Sequence, residues 1–417
     1  MSALPLTRET IDLPALIARQ RPGWSLEQPF YTSAEIFEIE RRGWLAQQWY
    51  VLGHGSEIAQ PGCYMVRELL GESIIVLRDD EGAVRAFYNV CRHRGSRLYV
   101  EDGRARQLRC PYHAWGYRLD GSLRAAAALP AGTDRSQLGL RPIHVRESEG
   151  LIVASLAGQP ELGAHLDRAF AAGLRYHGIA EARIAARRSY PTRANWKLVI
   201  ENFIECYHCL PAHPEYCQVM KHVDAVAREP GAASLDWEAS VSTWFEHGAN
   251  RECPLRPMPQ LLTYSPFGTG RSPIGAGRKT QSENGEPVAP LMGQQPRFDG
   301  GVSSFRCEPF VFFAALNDHA VMFQFLPAAV DLTEVLVSWL VAGSASEAQV
   351  DVARMIWLWD VTTVQDKRLI ERNADGIRSS AYVPGPYTDL ERMPARLVER
   401  YLKELAATPA SRAPAAP

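Results

Sequence analysis

The spacing of apolar and polar residues divides the chain into stretches of different period. Residues 1–45 carry Pro5, Pro14 and Pro22, then a helical pattern predicted over 33–48. Thr32-Ser33-Ala34-Glu35 can cap that helix, because a Ser hydroxyl satisfies a free N–H and an acidic side chain sits in the first turn. From 46 to 158 the pattern takes the short period of β-strands. Segments 73–77 and 84–88 flank Asp79-Asp80-Glu81-Gly82, a predicted hairpin, and 151–156 reads as a last buried strand. Gly158-Gln159-Pro160 marks a boundary. Over 159–405 the periods mix: a helix over 196–207, strands over 311–326 and 334–341, and a helix from 347 to 374. Residues 256–300 are rich in Gly, Pro, Ser and Gln without period, and are expected to form a long loop, either functional or disordered. Residues 406–417, dominated by Ala and Pro, are expected to be a disordered tail. The class is α+β.

Size and charge narrow the function. A chain of 417 residues has room for two or three domains. Its net charge of −2 offers no electrostatic case for nucleic acid or a membrane surface. No run approaches the roughly 18 uncharged apolar residues of a membrane span. Arg8, Glu9 and Asp12 stand where a signal peptide would place a basic start and an apolar run, so a cytoplasmic protein is expected. Eight Cys in such a length do not suggest a disulfide scaffold, and their placement among His suggests metal chemistry.

The first constellation is Cys91-Arg92-His93 with Cys110-Pro111-Tyr112-His113, read as C-x-H and C-x-x-H. Gaps this short suit tight loops at hairpin tips, and Gly95 and Pro111 favour such turns. Two Cys and two His can build a structural zinc site. They are also the ligands of a Rieske [2Fe-2S] cluster, with Cys on one iron and His on the other. Zinc fingers usually group two Cys and then two His; here each half supplies one of each, which favours the cluster.

The second constellation runs Glu201-Asn202-Phe203-Ile204-Glu205-Cys206-Tyr207-His208, then His213, after Asn195-Trp196-Lys197-Leu198. Glu201, Asn202, Glu205 and His208 share one helix face. A regular helix would separate His208 from His213 by roughly 140°. Pro211 and Pro214 interrupt the i→i−4 ladder, so the helix is expected to end or deform there and turn both imidazoles to one ion. Two His and one carboxylate form the facial triad of non-haem Fe(II) oxygenases, with positions left open for oxygen and substrate. Asp351, Asp360, Asp366 and Asp375 all lie on the C-terminal helical segment as candidates for the third ligand. Cys206 and Cys209 form a C-x-x-C around His208. Soft ligands do not suit an oxygen-activating iron, so both are expected to be packing residues. His54, His144, His165, His177, His222, His247 and His319 are expected to be ordinary polar residues.

Through Cys91-Arg92-His93-Arg94-Gly95, Cys110-Pro111-Tyr112-His113 and the 201–208 motif, the chain resembles the catalytic α subunit of Rieske non-haem iron oxygenases over nearly its whole length. Asn195 to Pro214, Asp299-Gly300-Gly301-Val302-Ser303-Ser304-Phe305, Trp357 to Thr363 and Ala381 to Tyr387 resemble the group acting on quaternary ammonium compounds: choline, glycine betaine, proline betaine and carnitine oxygenases. The resemblance implies a small antiparallel β Rieske domain at 46–158. It also implies a larger catalytic domain at 159–405, with an antiparallel sheet flanked by helices, on which residues 1–45 pack. It places Cys91, His93, Cys110 and His113 on the cluster and His208, His213 and Asp366 on a mononuclear Fe(II), and it makes Glu205 and Asn202 the candidate catalytic residues. Glu205, where most of the family has Asp, is implied to bridge the cluster of one subunit to the iron of its neighbour in a homotrimer.

The implied reaction is hydroxylation or N-demethylation of a small betaine-like substrate by O2. Electrons come from NAD(P)H through a separate flavin reductase of ferredoxin type, because the chain shows no dinucleotide fingerprint. An aromatic-ring or aromatic-carboxylate oxygenase is the alternative. A non-catalytic Rieske electron carrier is a third, opposed by the second metal constellation. A quaternary ammonium group calls for an aromatic cage, with candidates Phe203, Tyr207, Trp244, Phe310 and Phe312, and further Phe245 and Phe323. The carboxylate of a betaine calls for an Arg or a backbone donor, which the sequence does not single out.

Overall fold

The computed structural model describes residues 11–158, 171–227, 232–249, 251, 253–255, 269–275, 277–307 and 309–407. Short helices open the described chain at Leu13–Ala18, Gln28–Thr32 and Ala34–Arg42. Ser33 caps the third, its hydroxyl accepting from Ile36 N at 3.3 Å. That helix stops at Gly43, short of the expected residue 48, and the chain tightens into a 3₁₀ turn over Leu45–Gln47. These helices carry Phe30, Tyr31, Ile36 and Phe37 into the same core as Trp196, Val337 and Leu397 of the later chain.

The next stretch is antiparallel β throughout. Val84–Tyr88, Glu72–Arg78, Cys63–Leu69 and Gly103–Arg104 form one sheet in that order. The predicted hairpin forms one edge of it, with Ile74 opposite Tyr88. Three short strands, Leu108–Arg109, Gly116–Tyr117 and Leu123–Ala125, form a second sheet. Ile75, Phe87, Leu108, Trp115 and Tyr117 make a small core beneath Cys91 and Cys110. Tyr50–His54 and His144–Ser148 both pair with Leu151–Ser155, so the start and end of the stretch close on each other.

The larger half is a six-stranded antiparallel sheet in the order Ala182–Thr192, Leu332–Ala342, His319–Ala329, Val311–Ala315, Gly301–Cys307 and Thr269–Pro273. The single strand expected over 311–326 is a hairpin, because Asn317 and Asp318 form its turn. The loop expected over 256–300 is corrected in part: Thr269–Pro273 is an edge strand paired with Gly301–Phe305, while 256–268 lie outside the described residues. No apolar alternation announces this strand, because its buried side chains include Ser272 and Arg271, the latter held by Asp299 at 2.5 Å and the Ser303 hydroxyl at 2.8 Å. The helix Trp196–Phe203 and the long helix Val352–Ile377 pack on the sheet. The last helix, Arg392–Ala407, takes in the first two residues of the expected tail.

A buried polar hub ties these parts together. Glu40 is fully buried and accepts from Lys197 Nζ at 2.7 Å, Trp196 Nε1 at 2.9 Å and the Tyr401 hydroxyl. A buried carboxylate with this many donors is satisfied, and removing it would strand the ammonium of Lys197. Trp44 stacks on Trp196 with ring centres 5.4 Å apart, sealing the hub.

Candidate metal centres

Two tight loops carry the first constellation, the second at the tip of the hairpin formed by Leu108–Arg109 and Gly116–Tyr117. Cys91 N donates to Ser96 O at 2.8 Å and Gly95 N to Cys91 O at 3.0 Å; Cys110 N donates to Trp115 O at 2.8 Å and Ala114 N to Cys110 O at 3.1 Å. Gly95 (φ 75°) and Ala114 (φ 58°) take the left-handed conformation that turns each loop back on itself. The thiols point inward, with Cys91 2% and Cys110 3% exposed, while His93 and His113 lie exposed at the surface. The two imidazoles are 4.8 Å apart between ring centres, and His93 stacks on Trp115 at 4.8 Å. Burial works to raise the Cys110 thiol, but hydrogen bonds from the backbone of Tyr112 and His113 and from Cys91 outweigh it and hold the thiol below its ordinary value. Two buried sulfurs below and two imidazoles above are the donor set of the mixed Cys/His cluster, and the loops fit that group.

The second constellation is assembled from elements far apart in sequence. The helix Trp196–Phe203 ends at Ile204, earlier than the expected residue 207. His208 then precedes a single helical turn, Cys209–Ala212. His213 both ends that turn and precedes Pro214–Val219, at φ −126° and ψ 71°. The expected break between the two histidines therefore falls at His213, where Pro214 opens the next helix. Asp366 comes from the middle of Val352–Ile377 and places Oδ1 3.0 Å from His213 Nε2 and 3.2 Å from His208 Nε2. Of the carboxylates that the sequence left open, Asp351 caps its own helix, Asp360 pairs with Arg188 at 2.9 Å and Asp375 with Arg378 at 2.9 Å.

Each imidazole is aimed by a second bond. His208 Nδ1 bonds Glu205 Oε1, and His213 Nδ1 donates to Gln365 Oε1 at 2.9 Å. Both rings thereby present Nε2 inward, as outer partners do for metal-bound histidines. Gln365 is in turn held by Glu215, its amide donating to Oε2 at 2.8 Å. Burial opposes charge on His208, but Asp366 and Glu205 outweigh it and raise its pKa to about 9. The carboxylates thus create a place for positive charge. Asn202 Nδ2 lies 3.4 Å from His208 Nε2, and Asn202 Oδ1 is buried without a hydrogen-bond partner among the described residues. Two imidazoles, a carboxylate and an unsatisfied oxygen fit a hard divalent ion.

Cys206 and Cys209 are not mere packing residues: they form a disulfide, because the turn after Ile204 brings their Cα atoms to 4.9 Å. His208, Cys209 and His213 also come within ligating reach of one another, but the Cys209 sulfur is committed to Cys206, so the oxygen of Asp366 is the better third donor.

A cavity of about 190 Å³ opens over the two histidines and Asp366. Of the expected aromatic residues, Phe203 and Phe312 line it, with ring centres 5.1 Å apart. Phe323 packs behind them at 5.1 Å from Phe203. Phe310 is in the core, stacked on Tyr50 at 4.9 Å, because its strand end faces the N-terminal helices. Trp244 donates to Asp299 O at 2.7 Å, away from the cavity, and Tyr207 is 47% exposed. The cavity instead recruits Tyr216, Phe325 and Trp359. Trp359 could have been found two helical turns before Asp366 on the same face; Tyr216 and Phe325 carry no local signal. His222 also lines the cavity. Burial pushes its pKa down to about 4, so it is neutral, and its Nδ1 has no hydrogen-bond partner among the described residues.

Glu201, the remaining acid of the motif, faces away toward the N-terminal helices. It accepts from the hydroxyls of Tyr31 at 3.2 Å and Tyr387 at 2.9 Å. Burial raises its pKa to about 7, against the opposing pull of those two hydroxyls and of Lys197.

Comparison with known proteins bears on both halves. Residues 48–141 match the Rieske [2Fe-2S] domain model and residues 179–407 match the ring hydroxylating alpha subunit (catalytic domain). A glycine betaine monooxygenase oxygenase subunit of Chromohalobacter salexigens is 36% identical over 390 residues, covering 90% of this chain and 85% of that protein. The protein of the same name from Pseudomonas aeruginosa strain UCBPP-PA14 is 35% identical over 397 residues, covering 92% and 89%. A solved quaternary ammonium Rieske monooxygenase, described for carnitine oxidation and inter-subunit electron transfer, superposes with a TM-score of 0.70 at 23% identity, covering 93% of this chain and 97% of that one. At that identity the likeness speaks for the fold.

Proposed function

The chain belongs to the ring-hydroxylating oxygenase α subunits that carry a Rieske [2Fe-2S] domain, and is an oxygenase; from that premise we propose that it oxidises a small quaternary ammonium compound of the betaine type. The observation that carries the reading is the small aromatic-walled cavity set directly over His208, His213 and Asp366. Aromatic faces attract a quaternary ammonium group, which cannot donate a hydrogen bond. Relatives at 36% and 35% identity are named as glycine betaine monooxygenase subunits.

In this reading Cys91, His93, Cys110 and His113 hold the [2Fe-2S] cluster, and His208, His213 and Asp366 hold the mononuclear iron. When bound, the irons supply the electron storage and dioxygen reduction that no side chain here can perform. The chain's own residues do the positioning. Gln365 and Glu205 fix the two imidazoles, Asn202 stands beside His208, and Phe203, Phe312 and Trp359 hold the ammonium group and exclude water. Oxygen inserted into an N-methyl C–H bond gives a hemiaminal, which releases formaldehyde and leaves the demethylated amine. Electrons come from NAD(P)H through a separate flavin reductase. The protein works as a cytoplasmic homotrimer, with residues 46–158 as the cluster domain and 159–405 as the catalytic domain. Exposed His93, His113 and Tyr112 on the cluster loops, and exposed Tyr207 beside Glu205, support a head-to-tail contact in which Glu205 reaches the neighbour's cluster.

The test is a single turnover. Enzyme loaded with both iron centres, reduced and then exposed to O2 is expected to release formaldehyde with glycine betaine or proline betaine and none with benzoate. Benzoate hydroxylation without formaldehyde from any betaine would reverse the assignment.

A further inference from the structure

Among the described residues lining the cavity, the acids Asp366 and Glu205 sit against its histidines. Among the described residues lining it, the one permanent cation is Arg306, from the strand Gly301–Cys307. Arg306 lies directly opposite Phe312 on the neighbouring strand, and Phe312 lies opposite Phe323 on the next. Directly opposed residues of antiparallel strands present their side chains on the same face. Arg306, Phe312 and Phe323 therefore form one row across three strands, cationic at its rim and aromatic inward. Phe203 covers the row from above, and Trp359 closes its inner end at 4.9 Å from Phe323. At the rim, the guanidinium of Arg306 lies 3.8 Å from the Met393 sulfur at the start of the helix Arg392–Ala407, so strand and helix together place it.

We propose that Arg306 is the carboxylate-binding and specificity-determining residue of this site. The proposal rests on the functional reading above. A betaine carries a fixed positive nitrogen and a carboxylate a few bonds apart. With the carboxylate on the planar fork of Arg306, the ammonium group falls over the aromatic row and its methyl groups face His208 and His213. A cavity of about 190 Å³ leaves a small zwitterion little freedom to reverse. Choline offers the same ammonium group with an uncharged hydroxyl, so it gains only the aromatic part. Arg306 thus makes the site prefer amino-acid betaines over amino alcohols.

Calorimetric titration of the iron-loaded wild type, Arg306→Leu and Arg306→Lys with glycine betaine and with choline tests this. Loss of a charge-assisted pair is expected to weaken glycine betaine about 30-fold in the Leu variant and to leave choline within about twofold. The Lys variant is expected to recover part of the loss, which a merely structural role would not show. Unchanged thermal melts and an unchanged content of mononuclear iron check folding of the catalytic half in both variants. Equal losses for both ligands, or unchanged glycine betaine affinity in Arg306→Leu, would overturn the assignment of Arg306 while leaving the enzyme a betaine oxygenase. A wild type that binds no betaine and releases no formaldehyde would sink the functional reading, and this proposal with it.

Discussion

The two metal constellations are built in opposite ways. The Cys/His site sits at the tips of two loops, each closed by backbone hydrogen bonds within a few residues, and it turns its imidazoles out to the surface. The His/Asp site draws on residues separated by more than a third of the chain, and His213 is almost fully buried. The first needs only its own turns and a small core. The second depends on packing between the helices and the large sheet. A centre that exchanges electrons with a partner gains from exposure, and one that handles oxygen chemistry gains from enclosure.

The widest separation between the two regions is expected from paired ligand losses. His213→Ala should abolish turnover while the cluster's visible absorbance survives, and Cys110→Ser should remove that absorbance while one iron per chain still binds. Iron counting and spectra decide it; a variant that loses both centres would show that the regions are not independent. A smaller effect should come from Glu205, the residue proposed to join them. Glu205→Gln is expected to slow oxidation of the reduced cluster about 10- to 100-fold with both centres loaded, since it weakens the aiming of His208 and the proposed bridge between subunits. An unchanged single-turnover rate would reject the bridge. The smallest effect concerns pH and belongs to the catalytic half alone. Glu201 has a folded pKa of about 7, above its ordinary value of 4.5. The folded state therefore binds a proton that the unfolded state releases, and stability should fall as pH rises from about 5 through about 7. Glu201→Gln should flatten that decline in thermal melts; parallel curves for the two proteins would contradict the buried, proton-holding carboxyl.

The same contrast explains what was legible in the sequence. The cluster loops could be read directly, because C-x-H, C-x-x-H, Gly95 and the hairpin at 73–88 are local signals. So was the break at His213, since Pro214 removes a backbone donor. The strand Ala182–Thr192 went unread, and Thr269–Pro273 was hidden by the buried Arg271–Asp299 pair. The cavity wall was the least legible part. Phe310 and Phe312 are near neighbours in sequence, yet one joins the core with Tyr50 and the other lines the site. Only tertiary packing separates such cases, and it equally placed Tyr216 and Arg306 at the cavity. The C-x-x-C pair was seen, but its pairing depended on the turn after Ile204.

Glu40 has a consequence for how the molecule is made. Its donors include Lys197 in mid-chain and Tyr401 near the last described helix end. On the ribosome the cluster loops can close as soon as they emerge, whereas this early carboxylate must wait for a hydroxyl translated 361 residues later. The catalytic half therefore forms after the cluster domain, and nascent chains stalled before residue 401 should remain clients of chaperones even with an intact cluster domain.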